Sequence, residues 1–357
     1  MIDFLVIGGG IAGVSAGARL SHLGSVLLLE CEAALGYHAS GRSAAMFEET
    51  YGLPSTIALN RASKPYHMEA NGGVLSPRGL MLLGTAETAE LYAHDLRAMQ
   101  MEEIGPEGGR QLVPILSDIV THVGHRADAW DIDTDRLIQN FAREIRDQSG
   151  TIRTGARVSA IRRAGPNWVV TCGDEEIEAR QIVNAAGAWA DEVARMAGVP
   201  PLGLQPYRRS MARIPAPGGH DIASWPMIFG AGETWYAKPD AGALLVSPAE
   251  EDPMEPMDAW ADDMVLAEGL ARYQEHVTEE VTRMIANWAG LRTFAPDRNL
   301  VLGPDPDHQG FIWCAGQGGY GFQTSPAASR FLADAMAGRT PEIDAGLAAL
   351  LSPARLR

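Results

Sequence analysis

Residues 4–13, Phe4-Leu-Val-Ile-Gly-Gly-Gly-Ile-Ala-Gly13, carry an apolar strand straight into a glycine-rich turn. A helix-forming stretch, Val14 to His22, follows. A second apolar strand, Ser25 to Leu29, then ends in an acid, Glu30. No other feature constrains the fold as strongly, because this order is the opening unit of a dinucleotide-binding βαβ domain. Gly8 permits the tight turn, Gly10 lets the backbone approach a pyrophosphate, and Gly13 lets helix and strand pack closely. Ile11 and Ala12, within the turn, are candidate cofactor contacts, and the helix N-terminus that follows offers unpaired N–H groups and a partial positive charge to phosphate. Glu30 is placed to accept hydrogen bonds from ribose hydroxyls. The motif calls for a dinucleotide without saying which.

At 357 residues the chain exceeds the usual size of one core, so two lobes are expected. The formal charge of −16 leaves no basic stripe for nucleic acid. Cys31, Cys172 and Cys314 are isolated, which argues against a disulfide framework or a metal site and fits a reducing compartment. The apolar N-terminus lacks a basic leader and reads as the first strand of the fold. No apolar run approaches the roughly 20 residues of a membrane span, and a cytoplasmic location is the simplest expectation.

Nucleotide-type segments recur along the chain. Gln181-Ile-Val-Asn-Ala-Ala-Gly-Ala-Trp189 is a strand ending in small residues; either a flat group passes close to its backbone or it is a tight strand–helix turn. Val158, after Gly155-Ala-Arg, is a candidate to present its backbone to an adenine edge. Gly316-Gln-Gly-Gly-Tyr-Gly321 follows the strand Phe311 to Ala315 and precedes a last helix expected near Pro326. No strand with a terminal acid follows it, so a second nucleotide site is disfavoured. The better reading aims that helix N-terminus at negative charge developing on N1 and C2=O of a reduced flavin. Helices are expected over Ser55 to Met68, Thr85 to Met101, Asp131 to Gln148 and Asp258 to His276. The expected class is α/β: a discontinuous Rossmann-like domain of the glutathione-reductase type (1–74, 131–207 and 294–357) and an antiparallel-sheet substrate domain (75–130 and 208–293).

Together, Val6-Ile-Gly-Gly-Gly-Ile-Ala-Gly13, Gly36-Tyr-His-Ala-Ser-Gly-Arg-Ser43, Asn184-Ala-Ala-Gly-Ala-Trp189, Trp288-Ala-Gly-Leu-Arg292 and Gly316 to Gly321 resemble the D-amino acid oxidase family of flavoenzymes. Within it the closest resemblance is to D-arginine dehydrogenase, over essentially the whole chain. The resemblance implies non-covalent FAD and oxidation of a D-amino acid by hydride transfer from Cα to flavin N5. The imine formed hydrolyses to a 2-oxo acid and ammonia. It implies cofactor contacts at Cys31, at Ala39, Ser40, Gly41, Arg42, Ser43, Ala44 and Ala45, and at Ala185, Ala186, Gly187 and Trp189. Further contacts fall at Gly290, Gly316, Gly318, Gly319, Tyr320, Gly321 and Phe322. His38 matches the non-covalent relatives rather than a covalent attachment point.

A substrate carboxylate needs a clamp, and Arg suits it because its planar fork binds bidentately. The family pattern assigns that clamp to Arg209 and Arg292, with hydroxyls from Tyr51 and Tyr236; Arg208 must point away from Arg209 on a strand. The Gly319 carbonyl is matched to the acceptor of the substrate amine. Departures fall in the specificity pocket. Where D-arginine-oxidising relatives place a carboxylate, this chain has Leu80; a pocket histidine is Met46 and a threonine is Glu48. Leu80 and Met46 make an apolar pocket, or Glu48 restores the lost charge, or Glu48 and Glu49 are solvated lid residues. Rival functions are a secondary-amine oxidase of the same fold, a flavin subunit of a hetero-oligomer and an NAD-dependent dehydrogenase. The expected electron acceptor is a quinone or dye, or oxygen.

Overall fold

The computed structural model describes all 357 residues. The opening strand, Ile2–Ile7, lies between two parallel neighbours, Val26–Leu29 and the second half of Glu175–Asn184. Thr151–Arg153 extends the sheet beyond Val26–Leu29, while Phe311–Ala315 and the antiparallel Val301–Pro304 extend it on the other side. Residues 4–7, Val26–Leu29 and Phe311–Ala315 are continuously apolar because both faces of the sheet are covered there. Phe4, Val6 and Leu28 pack against helices Ile11–Leu20, Thr134–Asp147 and Gly321–Met336. Leu5, Ile7 and Leu29 alternate to the opposite face, under the meander Val158–Ala164, Asn167–Cys172 and Glu175–Asn184 and the short helix Ala190–Met196. Ile7, Leu29 and Asn184 are register partners, so the carboxyl ends of the parallel strands share one edge.

A second, nine-stranded sheet is built from two separate stretches of the chain, 80–126 and 205–294. Its longest pairing joins Gln205–Pro215 to Ala286–Phe294; it continues through Ala243–Ser247, Tyr236–Asp240, Met227–Gly230, Leu80–Thr85 and Val120–Arg126. The expected antiparallel character holds except at one pair, Met227–Gly230 with Leu80–Thr85, which is parallel. The long connection between those two strands lets them run the same way, as a hairpin never does. A small sheet of Met46–Phe47, Trp130–Ile132 and Leu75–Pro77 lies beside the larger two. We propose the two-lobe division expected above, with Gln205–Pro215 kept whole in the second lobe. No helix is long and apolar enough to cross a membrane.

Helix Pro54–Glu69 occupies the expected span, and Asp133 and Asp262 cap the helices that follow them. Helix Ala89–Ala98 is shorter than expected, because Thr85 ends a strand instead. The last helix departs more. It begins at Gly321, five residues before Pro326, which lies inside it. A proline there removes one N–H and disturbs the neighbouring bonds. The local repair is Ser325 Oγ, donating to the Phe322 carbonyl at 3.0 Å. The remote repair comes from the helix 54–69. Ser63 Oγ accepts from the Ala327 amide at 3.1 Å, and His67 Nε2 is 2.9 Å from the Gln323 carbonyl. The helix therefore starts directly at the glycine loop.

Candidate active site

A cavity of about 530 Å³ runs from the carboxyl edge of the parallel strands to the second sheet. At its first end stands the Gly8–Gly13 turn. Gly8 has φ +109°, and a Cβ there would lie 2.4 Å from the Ala185 carbonyl oxygen. A Cβ on Gly13 would lie 1.8 Å from the Gly8 carbonyl oxygen, so Gly13 sits beneath the turn rather than in the cavity wall. Val14 is the first helical residue whose amide finds a carbonyl in the turn, that of Gly10. The Ile11 amide donates to Ser40 Oγ at 3.0 Å. Gly8, Gly10, Ile11 and Ala12 line the cavity, so the helix N-terminus stands at its wall, the arrangement that binds phosphate. Buried Glu30 accepts from the Gly9 amide at 2.5 Å and the Glu32 amide at 2.8 Å, which fixes its carboxylate at the wall. Burial, with Glu30 and Glu32 nearby, pushes the Cys31 thiol up to about 12. Val158, Ala185, Ala186 and Gly187 complete this end.

The middle is walled by the turn Ala39–Arg42 and by Ser43, Ala44, Ala45, Trp189 and Gly290. Arg42 ties this loop to the second sheet, donating to the Ala259 and Ala289 carbonyls at 2.9 Å. His38 packs against Trp189 with its ring tilted by 52°, and its ring nitrogens face Glu32 at 3.1 Å and Asp258 at 3.8 Å. Gly316, Gly318, Gly319, Gly321 and Phe322 bring the last helix's N-terminus to the same wall. Gly41 and Tyr320 do not line the cavity. A Cβ on Gly41 would meet the Gly36 carbonyl at 2.5 Å, and the Tyr320 ring lies behind, against Tyr51.

At the far end the sheet register explains how two arginines converge. Arg209 pairs with Gly290 across the strands, and Arg292 is two residues further on, so both side chains leave one face. Arg208 points away, to Asp252 at 2.7 Å. Arg209 Nε donates to the Glu250 carbonyl at 2.9 Å, and Arg292 lies so flat against Gly319 that a Cβ there would stand 2.6 Å from Nη2. Behind them, outside the cavity, Glu251 lies 3.4 Å from Arg209, 3.9 Å from Arg292 and 2.8 Å from Arg298. Burial opposes the charge of Arg292, but Tyr51, Tyr236 and Glu251 hold its pKa above the usual value. Burial and the nearby Glu233 push the Tyr51 phenol up, so its hydroxyl stays protonated. The Tyr236 hydroxyl has only the Met211 sulfur nearby, at 3.8 Å.

A family model described as DAO, FAD dependent oxidoreductase, matches residues 3–335. The chain belongs to this family of FAD-dependent oxidoreductases. Among its relatives, FAD-dependent oxidoreductase domain-containing protein 1 of Bos taurus is 22% identical, covering 93% of this chain and 80% of that protein. Glycine oxidase of Pseudomonas putida is 23% identical over 95% of this chain and 96% of its own. The crystal structure of L-proline dehydrogenase from P. horikoshii superimposes with a TM-score of 0.83 at 19% identity, covering 99% of this chain and 97% of that one. The residues of this FAD-dependent oxidoreductase fit its cofactor: Gly8, Gly10 and Ala12 line the wall at the helix start, and the buried Glu30 carboxylate lies in the same wall.

The rest of the pocket escaped the sequence. Met99, Met211, Met227 and Phe229 line the cavity beside the expected Met46 and Leu80, in one apolar cluster with Tyr236. They come from three separate stretches of chain, and no local pattern announces them. Glu233 also lines the cavity; it stands on an exposed turn and accepts from the Tyr51 hydroxyl at 3.1 Å. Glu48 is buried rather than solvated, whereas Glu49 pairs with Lys64 at 2.8 Å.

Proposed function

We propose that this FAD-dependent oxidoreductase oxidises the α-amine of a D-amino acid with an apolar side chain, and that the imine then hydrolyses to a 2-oxo acid and ammonia. The observation that carries the reading is the convergence of Arg209 and Arg292 on one sheet face, with Tyr51 and Tyr236, at one end of the cavity. Two guanidinium groups and two phenols suit a carboxylate, and paired N–H donors hold it in one orientation. The Gly319 carbonyl is our candidate acceptor for the amine, since Arg292 packed against that glycine fixes its backbone. With carboxylate and amine held, the remaining substituent of Cα meets the methionine wall, which favours apolar groups. FAD, which Gly8, Gly10, Ala12, Glu30 and Gly187 would help to hold, would supply the two-electron oxidation, in which a hydride leaves Cα and a proton leaves the nitrogen. The residues supply position and a dry surface. The D configuration rests on the motif resemblance to D-arginine dehydrogenase.

A second reading is a secondary-amine amino acid as substrate. It is favoured by the neighbour named for L-proline, a secondary amine, and the same wall would take an N-substituent. One experiment separates the two. The purified protein's visible spectrum is recorded without oxygen while D-, L- and N-methyl amino acids and proline are added. Bleaching by D-leucine or D-methionine supports the first reading. Bleaching only by sarcosine or proline removes it in favour of the second, bleaching only by glycine removes both, and re-oxidation by air or by a quinone identifies the acceptor.

A further inference from the structure

Glu48 and Arg126 form an ion pair in the wall of the substrate end, and the oxidation proposed above makes no use of it. Glu48 is 4% exposed, yet it lines the cavity. Its Oε1 accepts from Arg126 Nη2, from the Thr50 amide at 2.9 Å and from the Thr50 hydroxyl at 2.8 Å. Its Oε2 has no partner at all. Arg126 also donates to Thr50 Oγ1 at 2.9 Å and the Met99 carbonyl at 2.8 Å, and its Nε lies 2.9 Å from Asp128. The register sets it directly across from Leu80. The arginine shares the sheet face of Leu80 without lining the cavity, and it places its charge on Glu48, the buried carboxylate that lines the cavity together with Leu80, Met46 and Met99.

An unpaired carboxylate in such surroundings would be costly, and it would draw in any cation offered to it. Pairing removes both effects. The other carboxylate at this end, Glu233, stands on an exposed turn, where water screens its charge. We propose that Arg126 is a specificity-determining residue: by neutralising Glu48 it makes the substrate end accept apolar side chains and reject cationic ones. The proposal rests on the amino-acid reading given above.

The test compares holoenzyme variants by the ratio of kcat/KM for lysine or arginine to that for leucine or methionine. Arg126→Gln leaves every cavity-lining residue in place but frees the Glu48 charge. It is expected to move the ratio toward the cationic substrates by about tenfold or more, the scale of a charge-assisted contact. The double variant Arg126→Gln, Glu48→Gln should return the ratio to the wild-type value. Glu48→Gln alone leaves the arginine only the exposed carboxylate of Asp128 and should shift preference toward acidic side chains, which keeps the proposal testable where Arg126→Gln does not fold. Binding of 6-aminohexanoate against hexanoate, read from the flavin spectrum, should change in parallel without turnover. Unchanged ratios in folded, flavin-bound variants, or a shift that persists in the double variant, overturn the role of Arg126. Absence of flavin reduction by any amino acid in the wild type would instead overturn the amino-acid reading itself.

Discussion

At the nucleotide end the cavity wall is backbone and small side chains: Gly8, Gly10, Ala12, Ala185 and Gly187. At the substrate end it is large side chains, Arg209, Arg292, Tyr236, Met211 and Met227, delivered by the second sheet. The first end works by what is missing, since a ligand reaches amides only where no Cβ intervenes. The second works by what projects, since recognition there needs charge and bulk at fixed places. The two ends should therefore fail differently. A glycine replaced in the first should cost the cofactor and with it everything else, whereas an arginine replaced in the second should cost the substrate alone.

The largest expected effect breaks the nucleotide end. Gly13→Ala places a methyl 1.8 Å from the Gly8 carbonyl oxygen, and backbone on both sides must move to admit it. Loss of several kcal/mol of stability, on the order of 4, is expected together with loss of bound flavin. Flavin absorbance of the purified variant and its Tm read both. A variant with full flavin content would show that the turn is softer than its geometry implies.

Next in size, and at the opposite end, Arg292→Ala removes one arm of the proposed clamp while leaving the turn untouched. A drop in kcat/KM of about 10² to 10³ is expected, the value of a charge-assisted hydrogen bond or two. Flavin content should be unchanged. Lys at the same position should recover little, because an ammonium lacks the planar fork that lies against Gly319. Near-normal turnover in Arg292→Ala would remove it from the clamp.

The same contrast explains what was legible in the chain. The turn at Gly8 to Gly13 is encoded by spacing within ten residues, so its strand, helix and acid were readable directly. The two arginines owe their convergence to the register Arg209 opposite Gly290, which joins positions far apart in sequence. The resemblance named them; their shared face needed the sheet. Arg126 lies in a strand with no motif around it, and its partner Glu48 read equally well as a solvated charge. The last helix was placed late because proline so often opens a helix. Here Ser63 and His67, more than two hundred residues earlier, carry the hydrogen bonds that let Pro326 sit inside one.

His67 links the two ends, since the helix it supports begins at the glycine loop. Burial pushes its pKa down to about 4, although its bond to the Gln323 carbonyl opposes that shift. The unfolded chain titrates near 6.5 and so takes up the proton first. Stability is whole above that pH and falls as pH drops from about 6.5 toward 4, by roughly 2 to 3 kcal/mol. Nδ1 is buried without a partner, so the added proton would have nothing to bond. His67→Gln keeps a donor for Gln323 and does not titrate. Its Tm should therefore fall less than that of the wild type between pH 7 and pH 5; equal slopes would assign the acid sensitivity to other groups.

The smallest effect refines the substrate end. Tyr51 and Tyr236 are both proposed to reach the carboxylate, but Tyr51 already donates to Glu233 at 3.1 Å, while Tyr236 has only a sulfur at 3.8 Å. A hydroxyl without a strong internal partner gains more from a substrate, since nothing is broken when it turns toward one. Tyr236→Phe is accordingly expected to lower kcat/KM about fivefold to tenfold, with no change in flavin content and little in Tm. Tyr51→Phe should do less to the clamp and more to the Glu233 turn, whose carboxylate then loses its donor. Equal losses in the two variants would mean that the Tyr51 hydroxyl leaves Glu233 when substrate binds. The substrate end would then be assembled by the substrate, whereas the glycine turn stands ready before its ligand arrives.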